Sequence, residues 1–170
     1  YHGNSIPGAK SAPGVELVYR FADLVTSPNT RVVVNCGGRT RSIIGAQALI
    51  NAGIPNEVVS LKNGTQDWHL YGYEVVDGAT LRYPDVSDAG LARAQTAAAT
   101  IAERFEIQTI DELILSTWKN QADARNLYVL DVRTPEEYKA GHLPGARSAP
   151  GGQLVQETDT FLGAWGGRVV

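Results

Sequence analysis

The sequence predicts an α/β protein built on parallel strands, and three observations carry that expectation. Two short β-branched runs, RVVVN at residues 31–35 and EVVSL at 57–61, flank a helix-periodic stretch at 42–52. Strand, helix and strand joined by short connections make a βαβ unit, whose strands run parallel. A third run, YVLDV at 128–132, leads into Thr134-Pro135-Glu136-Glu137, a helix start with proline at its first position. The chain also repeats itself on a domain scale: residues 1–33 align without a gap on residues 138–170, and 13 of the 33 positions are identical. Typical residue frequencies give about two or three such matches. The identities run from Tyr1 through Pro7-Gly8-Ala9, Ser11-Ala12-Pro13-Gly14 and Leu17-Val18 to Arg31-Val32-Val33. The chain is thus expected to be one period plus 33 residues, opening inside one domain and closing inside the next.

The elements follow in order. Ile6-Pro7-Gly8-Ala9 and Ala12-Pro13-Gly14 are loop punctuation. Residues 15–24 read as one short helix. Residues 31–35, bounded by Asn29 and Gly37, read as a buried strand. The helix at 42–52 places Ile43, Ala46 and Ile50 on one face and stops at Gly53. Residues 57–61 form the second strand; Asn63-Gly64 turns, and Trp68, Tyr71 and Tyr73 pack in a compact loop. Residues 83–87 are linker-like. Ser87-Asp88 caps a helix running to about Phe105, with Leu91, Ala94, Ala98, Ile101 and Phe105 as its apolar stripe. A further helix begins at 109–113 and continues through about Trp118, ahead of the strand at 128–132.

Composition sets limits. The 170 residues are 43% hydrophobic and 19% charged, enough to bury a core. A net charge of -3 argues against a nucleic-acid binder driven by overall positive charge. The single cysteine, Cys36, excludes an internal disulfide framework and every multi-cysteine zinc or iron–sulfur site. His2, His69 and His142 are scattered, so no metal site is expected. No apolar run reaches the length of a membrane helix, and no signal-peptide pattern opens the chain. A start at Tyr1 with no methionine anywhere leads us to expect a fragment or processed product, and a reduced cytoplasmic setting is the default expectation.

The chemistry sits at a strand end. In VVVNCGGRTRSIIGAQ, Cys36 stands between the first strand and the start of the following helix. Amides of residues 37–41 have no earlier carbonyls to pair with and are free to converge on one point. Gly37 and Gly38 permit the backbone angles of a tight cradle, the helix dipole adds partial positive charge, and Arg39 and Arg41 add two full charges. Such a site lowers a thiol pKa and holds an anion. A buried core thiol is the plainer reading of a lone cysteine. The run Gly-Gly-Arg-Thr-Arg after it tells against that.

These residues resemble a known family. CGGRTRS, followed by an apolar helix, EVVSLKNGTQDW and GYEV, is similar to the second half of a rhodanese domain. YVLDVRTPEEYKAGHLPGA is similar to the first half of one. The resemblance covers roughly 1–80 and 109–170. It implies a parallel five-stranded sheet flanked by helices, split or permuted here. It also implies sulfur transfer through a persulfide on Cys36, with Gly37, Gly38, Arg39, Thr40 and Arg41 binding the substrate and no cofactor. It divides the chain into residues 1–83, carrying the cysteine loop of one domain, a linker helix at 84–108, and residues 109–170, the opening of the next. Residues 109–137 are alternatively the elements that residues 1–83 lack. Asp131, Arg133 and Glu137 would support the active loop, or simply form a satisfied ion pair; Lys10 and Arg147 are surface charges. Expected partners are a small anionic sulfur donor such as thiosulfate, a thiol or cyanide acceptor, and the rest of a longer parent or another copy of the chain.

There are departures from the family pattern. Arg39 stands where glycine is common, Ser5 stands where the second copy has His142, and Asn63-Gly64 replaces a Gly-Gly. Two other functions compete: a sulfur-carrying or regulatory module without turnover, and a cysteine phosphatase or arsenate-type reductase. The phosphatase loop has five residues between cysteine and arginine, whereas four separate Cys36 from Arg41. The smaller ring of amides suits a sulfane sulfur better than a phosphoryl group.

Overall fold

The computed structural model describes residues 3–170, and for Val15 its backbone only; Tyr1 and His2 lie outside the described residues. The chain forms two compact units, Tyr1–Glu106 and Ile107–Val170.

In the first unit, β1 (Val32–Val34) and β2 (Val58–Ser60) pair in parallel, with Val32 opposite Val58 and Val34 opposite Ser60. Between them runs α3 (Thr40–Asn51), ended by Gly53 at φ 72°, as its sequence predicts. The buried face of α3 is the expected one at Ala46 only. Ile43 and Ile50 are 46% and 48% exposed, while Ser42, Gly45, Ala46 and Leu49 face inward. Small residues on the inner face let the helix lie close to the strand. A Cβ on Gly45 would stand 3.2 Å from Leu17 Cδ2 and 3.3 Å from Val34 Cγ1. The core is Leu17, Phe21 and the fully buried Leu49, ringed by Val18, Val25, Val32, Val34, Ile54 and Val58.

The helix expected over 15–24 is two single turns, α1 (Gly14–Leu17) and α2 (Phe21–Leu24). The break falls at Arg20, whose backbone leaves the helical region and whose guanidinium is held by Glu16, by Pro84 O at 3.0 Å and over the Tyr83 ring. Leu17 and Phe21, four residues apart on either side of the break, both enter the core. Residues 64–70, expected as loop, are the helix α4 (Gly64–Leu70). Its polar opening Thr-Gln-Asp shows no apolar period, and its start depends on two left-handed residues, Asn63 (φ 52°) and Gly64 (φ 58°). Trp68 packs on Tyr73 at 4.8 Å and donates to Glu74 O, whereas Tyr71 is exposed.

The long helix α5 (Asp88–Arg104) is capped by Ser87, which accepts from Gly90 N. Ser87 also donates both its N–H and its hydroxyl to Asp23 on α2. Gly90 allows that contact, since a Cβ there would meet Asp23 Oδ2 at 2.1 Å. The stretch that the sequence assigns to a linker is therefore anchored on α2 and clusters with the first unit. Leu91, Ala94 and Ile101 of its stripe are half-buried; Ala98 and Phe105 are exposed.

In the second unit, α6 (Glu112–Asn120) is capped by Asp111. The strand expected at 128–132 is recorded as β3 (Leu127–Tyr128) and β4 (Leu130–Asp131), separated by Val129 alone. β3 pairs in parallel with β6 (Arg168–Val169), and β4 pairs in parallel with β5 (Arg147–Ser148). Leu130 N donates to Val170 O and Arg147 N to Val129 O, so residues 127–131 are the middle of a three-strand parallel ribbon. Parallel pairing is thus as expected, with two strands in the first unit and this ribbon in the second. α7 (Pro135–Ala140) begins with a capping box between Thr134 and Glu137 and has proline in its first turn. α8 (Gly151–Gln156) and α9 (Thr158–Phe161) complete the unit. Each Ser-Ala-Pro leads into a helix, at Gly14 and at Gly151. No helix among the described residues is long and apolar enough to cross a membrane.

Leu49 is the fully enclosed member of the first core, with 0% exposure. Leu49→Ala is expected to cost about 2–5 kcal/mol, the range for emptying a leucine-sized site. Hydrogen exchange of the β1 and β2 amides reads this locally; unchanged protection there would refute the core assignment.

Candidate active site

The site grows from the end of β1. The last ladder bond, Leu61 N to Val34 O at 2.9 Å, releases the chain at Asn35, and α3 begins five residues later at Thr40. The intervening loop is held from behind by α4. A helix N-terminus has amides without intrahelical partners. Here Thr65 N donates to Cys36 O at 2.9 Å and Gln66 N to Gly37 O at 3.1 Å. Thr65 is buried; its hydroxyl also donates to Cys36 O at 3.3 Å and accepts from Asn35 Nδ2 at 3.1 Å. With these carbonyls turned toward α4, the loop has its amides available on the other side.

The approach of the two backbones tolerates no side chain. A Cβ on Gly64 would stand 2.0 Å from Cys36 O and 2.6 Å from Gly38 O, and the residue sits at φ 58° besides. The Gly in Asn63-Gly64, legible in the sequence only as a turn, is thus also what lets α4 reach the loop.

Cys36 is half-buried. Burial pushes its thiol pKa up. The Ser42 hydroxyl, the Ser42 and Gly38 N–H groups and the Arg41 guanidinium pull it down and prevail, leaving it below the ordinary cysteine value. Arg41 lies over the loop, its Nη2 3.9 Å from where a Gly37 Cβ would be. Of the predicted residues, Cys36, Gly38 and Arg41 therefore act on one point. Gly37 gives its carbonyl to α4, and Arg39 gives its carbonyl to the Ser42 hydroxyl at 2.9 Å. Thr40 opens α3. The Arg39 and Arg41 side chains are exposed.

Sequence reasoning did not single out Ser42, Ser60 or Thr65. Ser42 is fully buried, and Ser60 Oγ donates to Ser42 Oγ at 3.0 Å. The available signal was the place of Ser42, in the first turn of α3 directly after Arg41.

In the second unit, Arg133 forms a two-pronged pair with Asp131, at 3.0 and 2.6 Å, and donates to Gly141 O. That hydrogen-bonded guanidinium holds the Asp131 carboxyl below its usual range. Glu137 is committed to capping α7 through the Thr134 N–H and hydroxyl. His142 stacks on Tyr138 at 3.9 Å. Arg147 is exposed, with its guanidinium 5.1 Å from the Phe161 ring centroid, and Lys10 and His69 are exposed.

A cysteine loop at the end of a parallel strand, cradled between two helix N-termini, defines a class of α/β domains using a cysteine thiolate. The family model for the Rhodanese-like domain matches residues 1–71 and 114–166. The chain belongs to the rhodanese-like domain family and has its mixed α/β fold. It is similar to the crystal structure of thiosulfate sulfurtransferase from Pseudomonas aeruginosa, at 52% identity and a TM-score of 0.89 over 99% of this chain and 32% of that one. It is also similar to an HTH-type transcriptional regulator of Mycobacterium tuberculosis, at 28% identity over 124 residues, which are 73% of this chain and 52% of that protein. The chain spans about a third of the first protein's length and about half of the second's.

Gly64→Ala is expected to break the Thr65 and Gln66 contacts to the loop and slow Cys36 alkylation at neutral pH, while Gly14→Ala, where a Cβ meets nothing within 4 Å and the backbone is not left-handed, leaves that rate unchanged. Equal rates in the two variants would show that α4 does not hold the loop.

Proposed function

We propose that this chain carries the active loop of a sulfurtransferase that moves sulfane sulfur through a Cys36 persulfide. The observation that supports it most is the convergence of the Ser42 hydroxyl, two amides and Arg41 on a thiol whose pKa they depress. The likeness to a thiosulfate sulfurtransferase at 52% identity supports the same reading.

The reaction balances without a cofactor. The Cys36 thiolate attacks the outer sulfur of an anionic donor such as thiosulfate. A sulfur–sulfur bond forms to Cys36, the sulfur–sulfur bond within the donor breaks, and sulfite leaves with the electron pair. A thiolate or cyanide then attacks the outer persulfide sulfur and the Cys36 thiolate departs. The groups that hold the thiolate serve both steps, since negative charge on Cys36 is consumed in the first and regenerated in the second. Arg41 and Arg39 attract the donor's charged end, a local positive field on a chain of net charge -3.

A second reading has one observation in its favour, the likeness to part of a transcriptional regulator. On that reading the loop holds sulfur as a signal and does not turn over. Thiosulfate treatment is expected to add about 32 Da to Cys36, the mass of one sulfur in a covalent intermediate, and Cys36→Ser abolishes both the adduct and thiocyanate formation from cyanide. An adduct without thiocyanate formation selects the carrier reading; an equal adduct in the serine variant overturns both.

Loop length separates sulfur from phosphorus chemistry. With four residues between Cys36 and Arg41, thiosulfate is expected to be consumed and aryl phosphates left intact. Faster hydrolysis of an aryl phosphate than consumption of thiosulfate would replace the sulfurtransferase reading with a phosphatase.

A further inference from the structure

We propose that Ser60 is a positioning residue for Cys36: from β2 it fixes the Ser42 hydroxyl as a hydrogen-bond donor toward the sulfur. This rests on Cys36 being the nucleophile of the function proposed above.

Register delivers Ser60 to the site. It pairs with Val34, two residues before Cys36, and the next bond of the ladder, Leu61 N to Val34 O, closes the strand pair. A slip of one residue would put a valine or leucine there and turn the hydroxyl to the other face. From this place Ser60 Oγ donates to Ser42 Oγ at 3.0 Å.

Ser42 has one proton and two lone pairs. Its oxygen is fully buried, so water does not complete its bonding. Its proton goes to Arg39 O at 2.9 Å, and the Cys36 sulfur, on which the Ser42 hydroxyl also acts, is the competing acceptor. A neutral thiol is a weak acceptor, and the carbonyl holds the proton; a thiolate is charged, and the proton turns to it. Ser60 biases this exchange in two ways. It occupies one of the two lone pairs on the Ser42 oxygen, which narrows the ways a Cys36 S–H can donate there. It also polarises the Ser42 O–H, since a hydroxyl that accepts a bond donates a stronger one. Ser60 therefore acts on the sulfur through Ser42.

The test compares Ser60→Thr with Ser60→Val in the 170-residue chain. The two differ by a hydroxyl against a methyl and both suit a strand. Circular dichroism checks the fold, and Ser60→Ala replaces Ser60→Val if the valine is not accommodated. The readout is the rate of Cys36 alkylation by iodoacetamide against pH. The expected result is that Ser60→Thr keeps the wild-type profile, while Ser60→Val shifts it to higher pH and lowers the neutral-pH rate roughly two- to tenfold, the worth of one neutral hydrogen bond. In a Ser42→Ala background Ser60→Val is expected to add nothing. Matching profiles for the threonine and valine variants, or additive effects in the double variant, would overturn the proposal. A wild type that takes no sulfur from thiosulfate while the alkylation pattern holds would instead remove the sulfur-transfer reading and leave the Ser60 assignment standing.

Discussion

Two backbone bonds, from Thr65 N and Gln66 N to the carbonyls of Cys36 and Gly37, are the constraint on which the site depends. They satisfy the orphan amides of α4, and in the same act they decide which way the cysteine loop faces. A loop between a strand and a helix has peptide dipoles that can point either way. Binding its carbonyls to α4 leaves amides free on the sulfur side, which is the polarity an anionic nucleophile needs. Gly64 is where this geometry becomes a residue requirement. Its left-handed backbone turns the chain out of β2, and its lack of a side chain admits Cys36 O within van der Waals range. The rest of the first unit serves that approach: the β1–β2 register sets the height of the loop, and Gly45 and Ala46 let α3 settle close enough to β1 to begin beside it.

The strand–helix–strand frame and the place of Cys36 were legible in the sequence because both are local. β-branched runs mark strands whichever partners they find, and a core thiol is not usually followed by two glycines and two arginines. The two Ser-Ala-Pro segments were local signals too, and each is followed by a short helix. What the sequence hid lay in contacts between segments. The buried face of α3 is chosen by how near β1 can come, which favours Ser42 and Gly45 over the larger Ile43 and Ile50. α4 has no apolar period to announce it and is held by its bonds to the loop. α5 looks from its alanine content like a free spacer, and only the Asp23–Ser87–Gly90 contact shows that it is anchored. The residues missed at the site, Ser42, Ser60 and Thr65, are common hydroxyls whose meaning comes entirely from what they touch.

The second unit shows how the same physical means serve a different end. Asp131 closes the half-buried strand β4 and Arg133 follows it into the turn before α7, a strand-to-helix turn as in the cysteine loop, but their charges are spent on each other and on Gly141 O. Glu137 is likewise spent on the amide of Thr134. These groups order the turn into α7 and leave little free charge there. At the cysteine loop of the first unit the charges are not paired off in this way: the Arg41 charge acts on the Cys36 sulfur, as do the Ser42 hydroxyl and the Ser42 and Gly38 amides. The contrast lies in where donors and charges are left over, and that is a property of pairing rather than of residue type.

The Cys36 thiol is set by opposed effects that differ in kind. Burial acts on any charge and favours the neutral thiol, whereas the hydroxyl, amides and guanidinium act only on a group placed where they converge. A cysteine shifted along this loop would keep the penalty and lose the compensation. The low thiol pKa is therefore a statement about position. Position in turn rests on short polar contacts, since the sulfur lies at the edge of a small core and not within it. Sulfur transfer needs the thiolate twice, as attacking group and as leaving group, and an environment that stabilises it by fixed dipoles serves both steps without rearrangement. A single strong base beside the sulfur would help the first step only. The arrangement around Cys36, built from several weak donors and one nearby cation, fits a nucleophile that must be released as readily as it attacks.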